Sequence, residues 1–307
     1  MQEVIILGAN GFIGSNLTKK LSSQGVLVHA LVDGRFPYSH LQGIEHVICE
    51  EFSLGNIESF ESNYQFDGCD IIYHLAWEGV NAKFRNEAEI QAQNVIYGLK
   101  VLEFAKKNHI RRVLVPGSAS EVACGNGIIT GKEPPAPSDL YSASKVATRY
   151  LCQEYAKENG IDLIWTLITS IYGPGRDDNN LISYAIKSLL KGEKPSFTKL
   201  EQKWDYLYID DLLDALVALG EKGKGGKVYP IGSGEHRHML EYVNIIKENI
   251  APHASLGIGD LPYKNPNKID NQMMDISELR NDTGFEPKFD FKTGIANVID
   301  YFKEIAL

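Results

Sequence analysis

The sequence predicts an α/β fold, a doubly wound parallel sheet flanked by helices with a smaller lobe toward the C-terminus. Three observations predict it. Residues 3–7 form an apolar strand pattern that runs directly into a glycine-rich turn and then a helical pattern. Asp70 to Ala76 reads as a strand apolar nearly throughout, as strands buried on both faces of a parallel sheet do. Strand and helix patterns then alternate up to about residue 175, at intervals suited to right-handed crossovers, and become irregular beyond it.

The glycine turn is Gly8-Ala9-Asn10-Gly11-Phe12-Ile13-Gly14, followed by the helical stretch SNLTKKLSSQG. Gly8 permits the tight turn, Gly11 lets the backbone approach a pyrophosphate, and Gly14 lets the helix pack closely on the strand. The free N–H groups of the helix start then face the anion. A second strand, Val26 to Val32, ends in Asp33, about 20 residues after Gly14, where a carboxylate meets the adenosine ribose. That position slightly favours NAD. Arg35, two residues on, equally suits the 2′-phosphate of NADP, and Asp33 also suits a cap of the following turn.

Next come an apolar segment at Ile44–Ile48, a polar helix around 56–65, the strand Asp70 to Ala76 and a long helix over 86–107 carrying Asn94, Leu99, Leu102 and Ala105. Arg111 to Pro116 is a strand that runs into Gly117-Ser118-Ala119-Ser120-Glu121. Hydroxyls at the carboxyl end of a parallel strand face the ligand crevice of a doubly wound sheet. Pro134, Pro135 and Pro137 precede a helix that begins near Tyr141, and the strand Asp162 to Thr169 leads into the turn Tyr172 to Gly175. Helical stretches at 180–191, 210–220, 238–250 and 293–305 belong to the remainder. Residues 1–175 are therefore expected to form the dinucleotide-binding domain, with strand contributions from later segments, and 176–307 mainly the substrate lobe.

Tyr141 and Lys145 stand four residues apart and share a helical face. A phenol has an unperturbed pKa of about 10, and a neighbouring cation lowers it, so the pair is a candidate general acid/base.

Composition narrows the classes. The chain has 307 residues, 43% hydrophobic and 23% charged, as an ordinary globular protein has. Its net charge of −9 argues against general nucleic-acid binding, which needs a basic face. No apolar run is long enough to span a bilayer and no signal peptide opens the chain, so a cytoplasmic location is expected. Cys49, Cys69, Cys124 and Cys152 are scattered, without the spacing of a zinc site or disulfide framework, and read as reduced thiols. His236-Arg237-His238 lacks a carboxylate or cysteine partner, and no metal is expected there.

The glycine turn, the serine-bearing strand end and Tyr141-x-x-x-Lys145, in this order, resemble the extended short-chain dehydrogenase/reductase family, notably its nucleotide-sugar epimerases, dehydratases and ketoreductases. Asp70 to Ala76, Asn94 to Ala105, Tyr172 to Gly175, Asp205 to Asp211 and Ile231 to Glu235 extend the likeness over nearly the whole chain. The resemblance implies a Rossmann-type fold and an NAD(P) site formed by Gly8, Asn10, Gly11, Phe12, Ile13, Gly14, Asp33, Arg35, Leu75, Ala76, Asn94, Tyr141 and Lys145. It implies that Tyr141 is the acid/base, that Lys145 holds the nicotinamide ribose and depresses the tyrosine pKa, and that a hydroxyl from 118–120 binds the reacting oxygen. The slot usually filled by Ser or Thr holds Ala119, which leaves Ser118, the favoured residue, or Ser120. Glu121 keeps dehydration open as a further acid/base group.

The segment Glu201 to Tyr208 looks like those of deoxysugar 4-ketoreductases such as the CDP-abequose and paratose synthases. Substrate contacts are expected from Ser118, Ser170, Lys203, Trp204 and Arg237. Trp204 stands where many relatives carry a diphosphate-binding Arg, so that duty is expected to pass to Lys203, Lys199, Arg237 or Lys264. The expected activity is NAD(P)-dependent reduction of a nucleotide-linked 4-keto-6-deoxyhexose; a 4-epimerase or 4,6-dehydratase uses the same residues, and an NAD(P)-sensing regulator is the non-enzyme alternative. The expected partners are a nucleotide-diphosphate sugar and a second copy of the chain, with no nucleic acid and no membrane.

Overall fold

The computed structural model describes residues 1–305 apart from 61, 63, 67, 82, 123–126, 177–179 and 264–270; the expectations on Cys124 and Lys264 fall outside the described residues. Five strands, β1 (Glu3–Leu7), β2 (Leu27–Val32), β3 (Val47–Glu51), β4 (Ile71–His74) and β5 (Arg112–Ser118), join two later ones, Asp162–Ile168 and Val228–Ile231, in one seven-stranded sheet. Every pairing in it is parallel. From one edge the order is Val228–Ile231, Asp162–Ile168, β5, β4, β1, β2, β3. The order reverses between β1 and β4, and this is the point where an open α/β sheet forms its ligand crevice.

Right-handed crossovers running in opposite directions from β1 and β4 put α1 (Phe12–Ser23) on one face and α2 (Ala88–Lys107) and α3 (Leu140–Asn159) on the other. With both faces covered, Val4 to Leu7 and Ile71 to Tyr73 are fully buried, which is why these strands read as unbroken apolar runs. Trp165, Tyr73 and Tyr229 fill the centre. α5 (Ile209–Lys222) packs beside α1, with Lys20 paired to Asp214 across the contact.

The rest of the second half comprises α4 (Leu181–Leu190), α6 (Met239–Ile250), α7 (Ser277–Thr283), α8 (Phe291–Ile305) and several two- and three-residue strand pairs. An aromatic cluster of Tyr172, Tyr206, Tyr208, Tyr242, Phe289 and Phe291, with neighbouring centroids 4.5–6.4 Å apart, holds α6 and α8 against it. Among the described residues no helix is long and apolar enough to cross a membrane.

Two local expectations need correction. The apolar segment 44–48 only enters a strand, which runs Val47–Glu51, because its register is set by β2, where Val28 faces Val47. The polar helix anticipated at 56–65 is a short 3-10 turn, Leu54–Ser59, capped by the Ser53 hydroxyl accepting from the Gly55 N–H. Phe52 and Phe60 close over one another at 5.1 Å and end the turn there.

Candidate active site

Backbone shape builds the cofactor cradle. Gly8 has φ +79°, and a Cβ there would lie 2.8 Å from the Ala76 backbone at the end of β4. A Cβ on Gly14 would overlap the Gly8 carbonyl oxygen, so only glycine lets α1 start this close to β1. Gly11 is the N-cap of α1 and no side chain caps the first turn, which leaves the N–H groups of Phe12, Ile13 and Gly14 to an anion. This geometry fits a dinucleotide pyrophosphate.

Asn10 clips the neighbouring loop in place, donating to the Asp33 carbonyl (3.0 Å) and accepting from the Asp33 N–H (3.3 Å). Leu75 extends β4, its N–H bonded to the Leu7 carbonyl at 2.9 Å, and Ala76 borders the cradle. Asn94 is buried on α2, and both ends of its amide are engaged by the Glu78 backbone, at 3.0 and 2.9 Å. It shapes the loop after β4 rather than opening onto the crevice.

α3 delivers Tyr141 and Lys145. Its N-cap is Asp139, whose carboxylate accepts from the Ser142 N–H at 2.8 Å while the Ser142 hydroxyl returns to the Asp139 N–H at 3.1 Å. Tyr141, in the first turn, and Lys145, one turn on, both reach Trp77. The ammonium sits 3.5 Å from the centre of the indole ring, and the Tyr141 ring meets it edge-on at 6.2 Å. Lys145 also donates to the Pro116 carbonyl at 2.7 Å. Burial lowers the Lys145 pKa, against the opposing pull of Glu121.

Tyr141 departs from expectation. Burial pushes its phenol up to about 12, whereas Lys145 was expected to depress it. The cation that opposes this rise is Arg85, whose guanidinium lies 4.1 Å from the ring centre and pairs with Asp139 at 2.8 Å. Lys145 directs its ammonium to Pro116 and Trp77, so the phenol keeps its proton at neutral pH.

The serines resolve by geometry. Ser118 lies near enough to Tyr141 to pull the phenol pKa down against burial, and its oxygen lies 2.8 Å from that of Ser120, while Ala119 is buried. Glu121, expected as an acid/base beside the substrate, turns inward instead and is fully buried. Its carboxylate accepts from the Ser118 N–H (2.8 Å) and the Trp165 indole N–H (3.2 and 3.3 Å), with Arg149 3.7 Å away. A Cβ on Gly117 would overlap both Trp165 and Glu121, so the glycine before Ser118 serves this buried cluster. Burial raises the Glu121 pKa, with Ser118, Arg149 and Lys145 opposing it.

Farther out, the Trp204 indole N–H donates to the Ser170 hydroxyl at 3.0 Å, and Trp204 lies opposite Arg237 in a short antiparallel ribbon. Arg237 is paired to Glu235 at 2.8 Å. Lys203, next to Trp204 along the strand, projects to the other face, and it and Lys199 are exposed. His238 bonds the Glu201 carbonyl through Nδ1 at 2.7 Å, and His236 is exposed. Among the described residues the metal-ligand types that do converge are Glu3, His29 and Cys69, toward the amino ends of the strands; there the Glu3 carboxylate and the His29 imidazole already pair at 2.7 Å. Trp77, Glu78, Arg85, Gln91 and Arg149 went unread in the sequence. Trp77 and Glu78 follow a strand end directly and had a positional signal; Gln91 and Arg149, within helices, and Arg85 had none.

A sequence model of the NAD dependent epimerase/dehydratase family matches residues 4–232. Among curated proteins, the chain is 25% identical over 315 residues to an uncharacterized UDP-glucose epimerase of Bacillus subtilis, covering 99% of this chain and 98% of the relative. It is 26% identical to a dTDP-glucose 4,6-dehydratase of Streptomyces griseus, covering 97% and 93%. Solved folds that superpose on it include a UDP-glucuronic acid 4-epimerase of Bacillus cereus (TM-score 0.86, 21% identity, 99% of this chain and 100% of that one) and a UDP-N-acetylglucosamine 4-epimerase of Methanobrevibacter ruminantium (TM-score 0.87, 21%, 99% and 100%). With a glycine cradle at the switch point and a Tyr-x-x-x-Lys helix facing a serine-bearing strand end, the chain belongs to the NAD-dependent epimerase/dehydratase family.

Proposed function

We propose that this chain moves hydride at C4 of a nucleotide-linked hexose, with Tyr141 as the proton-transfer group, and that the hydride returns to the same carbon so that the net reaction is 4-epimerisation. The observation that carries this is the buried Tyr141 phenol set next to the Ser118 strand end and the Lys145 ammonium, beside the cofactor cradle. The nicotinamide, when bound, supplies hydride acceptor and donor. Ser118 orients the C4 oxygen and Lys145 meets the ribose, while Tyr141, after releasing its own phenol proton to solvent, takes the C4 hydroxyl proton as the phenolate and returns it on re-reduction. Ser170, Trp204 and Arg237 hold the nucleotide diphosphate in a lobe drawn mainly from 176–307, and Lys203, on the other face of the ribbon, takes no part. Epimerases and dehydratases among the relatives support this chemistry. Dehydration needs a further acid/base group at the sugar, and the inward turn of Glu121 favours epimerisation over it. Exposed Ile96 on α2 and Tyr150 and Leu151 on α3 suit a second copy of the chain as homodimer partner.

A second reading, net reduction of a 4-keto-6-deoxyhexose, is favoured by the phenol at about 12, since a protonated Tyr141 is the form that reduction consumes. Following cofactor absorbance and sugar configuration together separates the two. Interconversion of 4-epimers with catalytic NAD supports the first reading, and stoichiometric consumption of dihydronicotinamide supports the second. Tyr141→Phe should abolish either by orders of magnitude while cofactor affinity stays nearly unchanged. Near-normal turnover in that variant would refute the role of Tyr141, and cofactor binding without turnover on any sugar nucleotide would make the chain a sensor.

A further inference from the structure

Asp33 and Arg35 point to different cofactors, and the folded chain adds a third charged group that neither spacing nor motif connects to them. Arg35 Nε lies 2.9 and 3.0 Å from the two Asp33 oxygens, and Nη2 lies 2.6 Å from Asp33 and 2.6 Å from Glu78. Glu78 comes from the loop after β4, 43 residues away in sequence, and Asn94 fixes its backbone from α2 through two hydrogen bonds. The guanidinium is thus held between two carboxylates, one from each side of the strand-order reversal.

We propose that Glu78 is a specificity residue: it latches Arg35 onto Asp33 and so makes the site accept NAD and reject NADP. This rests on the reading that the glycine turn cradles the dinucleotide. To grip a 2′-phosphate, Arg35 must leave both carboxylates, and the incoming group carries nearly two negative charges of its own. Two uncompensated carboxylates would then face it at close range. A further acid deepens the field, for a Cβ on Gly34 would lie 2.8 Å from the Glu51 carboxyl group, whose Oε1 accepts from Tyr38 at 2.8 Å. A ribose 2′-hydroxyl brings no charge and can donate to Asp33. The mutual pull of the pair lowers the Asp33 pKa and raises that of Arg35, so both stay charged across the working range.

Calorimetric titration of NAD+ and NADP+ into the wild-type chain, Glu78→Gln and Glu78→Ala tests this without any sugar substrate. The wild type should bind NAD+ about tenfold or more tighter than NADP+. Both variants should narrow the gap several-fold, mostly through tighter NADP+, and the wild-type gap should shrink with added salt. A wild type that prefers NADP+, or a ratio unchanged within about twofold in both folded variants, overturns the latch while leaving the cradle standing. Folded protein that binds neither cofactor overturns the cradle and the latch together.

Discussion

Ser118 and Ser120 stand two residues apart with oxygens 2.8 Å from each other, yet their roles separate at the level of single atoms. Ser118 is the serine near enough to Tyr141 to lower its pKa, and its own N–H is fixed by Glu121, whereas Ser120 is tied to Ser118. Ser118→Ala should therefore lower kcat by about 10²-fold, in the range for losing one donor at a developing oxyanion, with Ser120→Ala nearer about tenfold. Steady-state kinetics of both variants check the order, and a larger loss at Ser120 would reverse the assignment. Sequence left this choice open because adjacent strand-end residues differ by which way the chain turns, and here that direction is imposed by the buried carboxylate of Glu121. The same carboxylate shows why residue type misleads: Glu121 has the chemistry of a catalytic acid and the position of a structural anchor.

At the scale of an element, α3 was legible, but the reason Tyr141 is held in its first turn was not. Asp139 caps the helix and also binds Arg85, which lies over the Tyr141 ring. Burial would raise the Asp139 pKa, but its bonds to Ser142 and Arg85 outweigh that and lower it. Its folded value is thus below the unfolded one of about 3.9, so the carboxylate stabilises the fold above that pH and the contribution fades as pH falls through the lower folded value. Asp139→Ala should cost about 1 kcal/mol at neutral pH, as loss of an N-cap does, and the difference from wild type should close below about pH 4. Urea denaturation at several pH values measures it; a constant difference at all pH values would remove the linkage. Arg85 has no sequence signal, because a loop residue reaches a helix cap 54 positions away only in the folded chain.

Across the whole molecule, two segments distant in sequence are tied by one buried carboxylate. Asp205 is fully buried and accepts from the Ser233 N–H and hydroxyl, both at 2.8 Å, and from the Gly234 N–H at 3.3 Å. A Cβ on Gly232 would overlap it, so the stretches Asp205 to Asp211 and Ile231 to Glu235 are two halves of one joint. This joint leads from the edge strand Val228–Ile231 into the ribbon that carries Trp204 and Arg237. Asp205→Ala leaves those donors without an acceptor and should cost about 2 kcal/mol or more, read as a lower denaturation midpoint. Stability within about 0.5 kcal/mol of wild type would show that the joint does not bear on folding.

The sequence alone determined five strands of the sheet, the glycine cradle and the Tyr141–Lys145 helix, because each depends on local periodicity or on backbone shapes that glycine permits. Tertiary structure alone decided which serine meets Tyr141, that Glu121 turns inward, that Arg85 rather than Lys145 is the cation at the phenol, and that Glu78 closes on Arg35. These outcomes depend on burial and on charges brought together from separate strand ends, and both arise only when the sheet assembles.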